Sequence, residues 1–369
     1  MTRRRARLAS LCVAVLTPLT WTHARAGTFS YADEGTEDRI AHPSGYTGST
    51  ASLTVSVCID PTSANAADMA VPVQNAIDVW NGQAETTGNL LAANVPFAEY
   101  DFESLALHEV GHCIGLGHPN VGSQAGIPTS ADREYTASTD GNPAMTGDWN
   151  LGAGTDGIIG TDDDVRGDDE NLHYFRISNN DPFTLASTVD STTYSKDLTD
   201  LPVTHLYAAN CDRDVGADLG YANTECVMQQ GTSNGEAQRT LGHDDVATLQ
   251  YGMSGLDRTV GGSDDYTVQL SYAGLTPSCD IVIDFDDAQT SFAACSTVGS
   301  FLDFPTNNHI AITSANVYVN TGTQMGNEFD WFFNPVRLGT TVPTLPHWGL
   351  LAIALFIATV GVRVLRRVA

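Results

Sequence analysis

The sequence predicts an α+β fold, strands packed with helices, followed by a small all-β C-terminal module. Three observations predict it. Between Ala66 and Gln83, Val73, Ala76, Ile77 and Trp80 fall at i, i+3, i+4 and i+7, the period of an amphipathic helix. Past Asp101, a residue type that caps helices, Phe102, Leu105, Ala106, Val110, Cys113 and Ile114 form a second apolar helical face. From Asp257 to Asn334 the pattern changes to alternation, with strands expected at Tyr266–Tyr272, Cys279–Phe285, His309–Ile312 and Val317–Asn320. A chain of 369 residues suits one large or two small domains.

In chain order, residues 1–26 read as a secretory signal. Arg3, Arg4, Arg5 and Arg7 precede the apolar run Leu8–Leu19, and Ala24-Arg25-Ala26 offers a small-x-small cleavage site before Gly27. Strands are expected at Thr28–Tyr31 and Leu53–Ile59, around the turn-rich stretch Pro43–Ser52. Pro72 is tolerable if it lies in the first turn of its helix. Val95–Tyr100 is too short to assign as a strand.

The second helix carries the chemistry. It contains His108-Glu109-Val110-Gly111-His112-Cys113-Ile114-Gly115-Leu116-Gly117-His118, or H-E-x-x-H-x-x-G-x-x-H. Imidazoles four residues apart share a helix face and can grip one metal ion. A straight helix would point His118 elsewhere, so a sharp turn is needed, and Gly115 lacks the Cβ that would oppose one. Three neutral nitrogens with an open fourth position describe a catalytic zinc site. Glu109, beside the first ligand, is placed to act as general base.

The segment Asp101–Asn120 (DFESLALHEVGHCIGLGHPN) resembles the metzincin clan of zinc metallopeptidases, most closely its matrixin-like branch. That resemblance implies an upper subdomain ordered strand, helix, further strands and zinc helix. It implies an edge strand that receives substrate, and a methionine turn beneath the metal. Met145 and Met228 are the candidates for the turn. Met228 is preferred, because the Asp-Asp helix start the family places after its turn is matched by Asp244–Gly252. Met228 lies 110 residues beyond His118, so about 120–225 would be an insertion. The resemblance implies zinc as cofactor, a protein or peptide substrate, and Glu109 as the catalytic residue.

Within the insertion, residues 150–170 are rich in glycine and aspartate, and Asp156, Asp162, Asp164 and Asp168 are candidate oxygen ligands for calcium. A solvated acidic loop is the alternative. Asn171–Phe175 should re-enter a core, and His173 and His205 are assigned to core or surface rather than to metal. Without Cys12, six cysteines remain, which allow 15 pairings. Cys211–Cys226 and Cys279–Cys295 would close short loops and leave Cys58–Cys113; a free Cys113 is the other option.

Net charge is −27, and the basic ends mask a stronger asymmetry: between the signal and the tail, 9 basic residues face 44 acidic ones. Such a body repels nucleic acid and anionic membrane surfaces. Leu338–Val342 links to Val342-Pro343-Thr344-Leu345-Pro346-His347-Trp348-Gly349, the apolar run Leu350–Val362, and Arg363, Arg366 and Arg367. This tail resembles the bacterial tripartite sorting signals called IPTL-CTERM, with valine at the isoleucine position. The resemblance implies a transient inner-membrane anchor and an envelope sorting enzyme as partner; a plain membrane anchor is the alternative. The expected layout is therefore signal 1–26, catalytic domain 27–256, β-rich module 257–337 and tail 338–369. Two rival functions stay open: a zinc hydrolase of a non-peptide envelope bond, and a non-catalytic surface-displayed binding protein.

Overall fold

A computed structural model of the chain describes residues 27–32, 36, 38–91, 94–118, 151–152, 165–166, 174–177, 182–197, 200, 211, 213–218, 220–229, 231–287, 291–322 and 329–338. In chain order these form β1 (Ile40–His42), β2 (Ala51–Ile59), α1 (Ala66–Gly82), β3 (Leu90–Leu91), β4 (Glu99–Asp101) and α2 (Phe102–Cys113). β5 (Leu151–Gly152), β6 (Val165–Arg166), β7 (Phe175–Arg176), β8 (Tyr194–Ser195) and α3 (Arg213–Asp218) come next. β9 (Ala237–Gln238), α4 (His243–Met253), β10 (Tyr266–Leu275), β11 (Ile281–Phe285), β12 (Ala293–Phe301), β13 (His309–Val319) and β14 (Asp330–Phe332) follow. No helix among the described residues is long and apolar enough to cross a membrane; the expected signal, and the expected tail past Leu338, lie outside them.

One mostly parallel sheet organises the molecule, in the order β1-β13-β11-β2-β10, with β12 antiparallel along the outer side of β13. The expected separate C-terminal β module is not confirmed. β10 and β11 flank β2 on its two sides, so the strands after residue 257 complete a sheet begun near the N-terminus. Strand, helix, further strands and α2 follow one another in the expected order. Between α1 and α2 lie only the two-residue β3 and the three-residue β4, and the remaining sheet strands come later in the chain. Alternation identifies a strand but not its neighbour; every sheet strand has an apolar face, and that face can be buried in any order of pairing.

Local rules account for the elements. On β2, Leu53, Val55, Val57 and Ile59 are buried on one face. The two strands expected at His309–Ile312 and Val317–Asn320 form one β13; the polar stretch between them exposes Thr313 and Ser314, and the register with β12 shifts there, leaving Thr313 without an opposite residue. The expected Thr28–Tyr31 strand is reduced to one bridge, Phe29 to Leu116. α1 begins at Ala66, so Pro72 sits in its second turn rather than its first, yet is buried in the core. Val73, Ala76, Ile77 and Trp80 are buried as their spacing requires. Each large apolar side chain buried this way contributes about 1.5–3 kcal/mol of transfer free energy. Trp80 Nε1 donates to Leu107 O at 2.9 Å, joining α1 to α2.

Two arrangements fix the N-terminal end of α2. Asp101 caps it, accepting from Ser104 N at 3.0 Å, and Arg239 holds the same carboxylate in a bidentate pair at 2.9 and 2.6 Å. β14 pairs in parallel with β4, and Asn334 and Asn75 both donate to Glu103 Oε2, at 2.7 and 2.8 Å. The segment that precedes the tail is thereby anchored against α1 and α2. Tyr174 and Phe175 are buried as expected, and Tyr174 packs against Tyr251 in a tilted arrangement with ring centres 4.3 Å apart.

The disulfides are Cys58–Cys279, Cys113–Cys295 and Cys211–Cys226. Only the last follows the loop-length expectation. Cys58 on β2 pairs with Cys279 just before β11, and Cys295 on β12 reaches Cys113 at the end of α2. The expected Cys58–Cys113 and Cys279–Cys295 pairs, and a free Cys113, are thus corrected; sheet adjacency decides the partner, not sequence distance.

Candidate metal centre

His108, His112 and His118 converge. Their Nε2 atoms form a triangle with sides of 3.0, 3.0 and 3.1 Å. α2 supplies the first two from one face. It ends at Cys113, and the chain turns through Gly115 at φ 113°, a left-handed conformation that glycine adopts without strain. A Cβ there would also lie 2.6 Å from Ala41 O on β1. The turn is braced from outside: Ser30 N donates to Gly115 O at 2.9 Å, Gly117 N to Thr28 O at 2.8 Å, and Ser30 Oγ to Leu116 O at 3.1 Å.

The far ring nitrogens set the tautomers. His108 Nδ1 lies 2.6 Å from Val227 O and His112 Nδ1 lies 2.9 Å from Leu116 O. A carbonyl only accepts, so each Nδ1 carries the hydrogen and each Nε2 presents a lone pair to the common point. Two such lone pairs 3.0 Å apart repel unless a cation lies between them, so the donor set fits a metal ion. Burial acts in the same direction, lowering His108 to about 4 and His112 to about 3, so both rings are neutral at ordinary pH. Three nitrogens with a fourth position free suit zinc.

Glu109 is 3 % exposed, and its Oε2 has no hydrogen-bond partner among the described residues. Burial raises its carboxyl to about 8, and the Cys295 backbone N–H on β12 partly offsets this. A divalent cation among the three imidazoles would favour the ionised form.

Met228 lies beneath the helix, although 110 residues separate it from His118. Its sulfur and the Trp80 ring occupy the space that a Cβ on Gly111 would need, so the second variable position of the motif admits only glycine without rearrangement. Asp245, in the first turn of α4, accepts from Val227 N at 2.8 Å, Met228 N at 2.9 Å and Gly242 N at 2.7 Å. The Asp-Asp start of that helix therefore has a physical role: Asp245 holds the turn whose Val227 carbonyl orients His108. Burial raises Asp245 to about 6 against the pull of these three N–H groups.

The sequence leaves the parts played by Gly111, Val227 O, Leu116 O, Ser30 and Cys295 unassigned. The glycine inside a helix was a visible signal; the backbone carbonyls leave none. Met145, Asp156, Asp162, Asp164, Asp168, His173 and His205 lie outside the described residues. A different acidic group, Asp257, Asp264 and Asp265, brings carboxylate oxygens within 4.8 Å of one another in the loop before β10. Comparison with known protein families, curated proteins and solved structures finds no match to this chain.

Proposed function

We propose that this chain is an exported zinc metalloendopeptidase of the metzincin type, matrixin-like in its zinc segment. The observation that carries the reading is the convergence of three imidazole Nε2 atoms beside a buried carboxylate with an oxygen unpartnered among the described residues. His108, His112 and His118 would hold the ion. Zinc in such a site lowers the pKa of a bound water and polarises a carbonyl.

The chain's own groups supply the rest. Glu109 takes a proton from the attacking water at Oε2; a C–O bond forms at the scissile carbonyl as the C–N bond breaks, and the proton passes to the departing amine. β12 supports a peptide substrate. Among the described residues it pairs with β13 on one side only, and Cys295 on it lies beside Glu109. An extended peptide can add to such an edge. This strand would supply the edge that the resemblance implies.

The signal at 1–26 and the tail at 338–369 support placement in a bacterial envelope, anchored at least transiently in the inner membrane until a sorting enzyme acts on the tail. Purified residues 27–341 test the reading through zinc content and casein cleavage. About one zinc per chain, with cleavage lost on chelation and restored by zinc, is expected. Zinc without cleavage of peptides but with hydrolysis of a cell-wall glycan or amide would move the activity to a non-peptide envelope bond. No zinc would overturn the proposal and favour a binding protein.

A further inference from the structure

We propose that the Cys113–Cys295 disulfide, seconded by the Tyr31–Thr297 hydrogen bond, is a positioning clamp that fixes edge strand β12 against the zinc helix so that the Cys295 amide aligns the Glu109 carboxylate. The inference rests on the peptidase reading above and assigns the clamp a part in turnover rather than in folding alone.

The geometry supports it at three points. Glu109 and Cys113 are four residues apart on α2, so both project from the same helix face, the one that meets β12. Cys295 serves both: its sulfur binds Cys113, with Cα atoms 5.7 Å apart, and its backbone N–H faces the Glu109 carboxyl. Two residues along the same strand, and so on the same side of it, Thr297 Oγ1 meets Tyr31 Oη at 2.7 Å. Tyr31 follows the segment that braces the Gly115 turn, where Ser30 Oγ donates to the Leu116 carbonyl that also receives His112. β12 needs such a tie. It is an edge strand among the described residues, its ladder to β13 is interrupted between Val298 and Gly299, and Cys295 is 182 residues from Cys113 along the chain. Its sequence, Ala-Ala-Cys-Ser-Thr-Val-Gly-Ser-Phe, is poor in the bulky branched residues that stabilise a strand by packing.

The second sheet disulfide provides a control. Cys58–Cys279 joins β2 to the start of β11, and neither residue touches the histidines or Glu109 in any described contact. The test uses the full-length protein with Cys113 and Cys295 both changed to alanine, beside Cys58→Ala/Cys279→Ala and the wild type. Zinc per chain, kcat and KM are measured on one peptide substrate. The clamp predicts that the Cys113/Cys295 variant keeps its zinc and its KM within a few-fold while kcat falls at least ~10-fold, and that the control keeps kcat. Should the first variant not fold, Tyr31→Phe/Thr297→Val removes the second tie alone and should lower kcat several-fold at unchanged zinc content. An unchanged kcat in the folded clamp variant, or in Tyr31→Phe/Thr297→Val where that replaces it, overturns the inference while leaving the peptidase standing. An inactive wild type overturns the peptidase reading itself, and the clamp's catalytic part with it.

Discussion

The sulfur of Met228 occupies the position that a side chain on Gly111 would take. Two residues 117 apart in sequence thus pack as one unit beneath the histidines: Gly111 lies between His108 and His112, and Met228 follows the residue whose carbonyl holds His108.

Gly111→Ala should therefore be destabilising, although alanine is the better helix former. The new methyl must displace the Met228 sulfur or the Trp80 ring, and overpacking of this kind costs about 1–3 kcal/mol. Denaturant unfolding checks this. A variant as stable as the wild type would show that Met228 does not pack as described.

Asp245→Asn should weaken both stability and metal affinity. The carboxylate receives three N–H groups on two oxygens, whereas an amide keeps one acceptor oxygen and turns an NH2 toward donors. The expected cost is about 2–3 kcal/mol, as for hydrogen bonds to a charged group. Zinc affinity should fall roughly 10–100-fold because the Val227 carbonyl loses its support. Competition with a chromophoric chelator measures the affinity, and unchanged binding would contradict this role for Asp245.

A buried histidine pair should make stability fall on acidification. His42 Nε2 and His309 Nδ1 are 2.8 Å apart, and His42 Nδ1 is 3.2 Å from Tyr266 Oη. Tyr46 packs against His42 in a tilted arrangement, while Asp303, Arg258 and Asp264 act on the pair electrostatically. Burial is the main cause that holds His42 well below its usual 6.5 and lowers His309 to about 4. The unfolded chain thus binds protons in this window that the folded chain refuses. The stabilisation is present in full above about 6.5 and is lost as pH falls toward about 4, at up to about 1.4 kcal/mol per pH unit for each histidine. Melting curves of His309→Gln should start lower at pH 7 and fall less steeply between pH 6.5 and 4. Curves parallel to the wild type would refute the assignment.

The residues that form the site were legible where spacing alone decides geometry. His108, Glu109, His112, Gly115 and His118 lie within eleven positions, and helix period plus one glycine turn fixes their relation. Met228 was legible at long range through the Asp-Asp helix start, which Asp245 explains. The sheet was not. Tyr266–Leu275 reads as a strand from its alternation, but nothing in it names β2 as its neighbour. β12 was missed altogether, because its small and polar residues form a strand through the ladder to β13 and the tie to Cys113 rather than through propensity. The disulfides do not follow sequence distance for the same reason: Cys279 and Cys295 are close in sequence, yet each faces a cysteine brought near by the sheet or by α2.

The most direct test of the central claim compares Glu109→Ala with the wild type for zinc content and peptide cleavage on the same preparation. The three imidazoles do not depend on Glu109, so the variant should keep about one zinc per chain and lose nearly all turnover. Zinc retained with wild-type cleavage would contradict the assignment of Glu109 as the base, and loss of zinc from the variant would contradict the separation of metal binding from proton transfer.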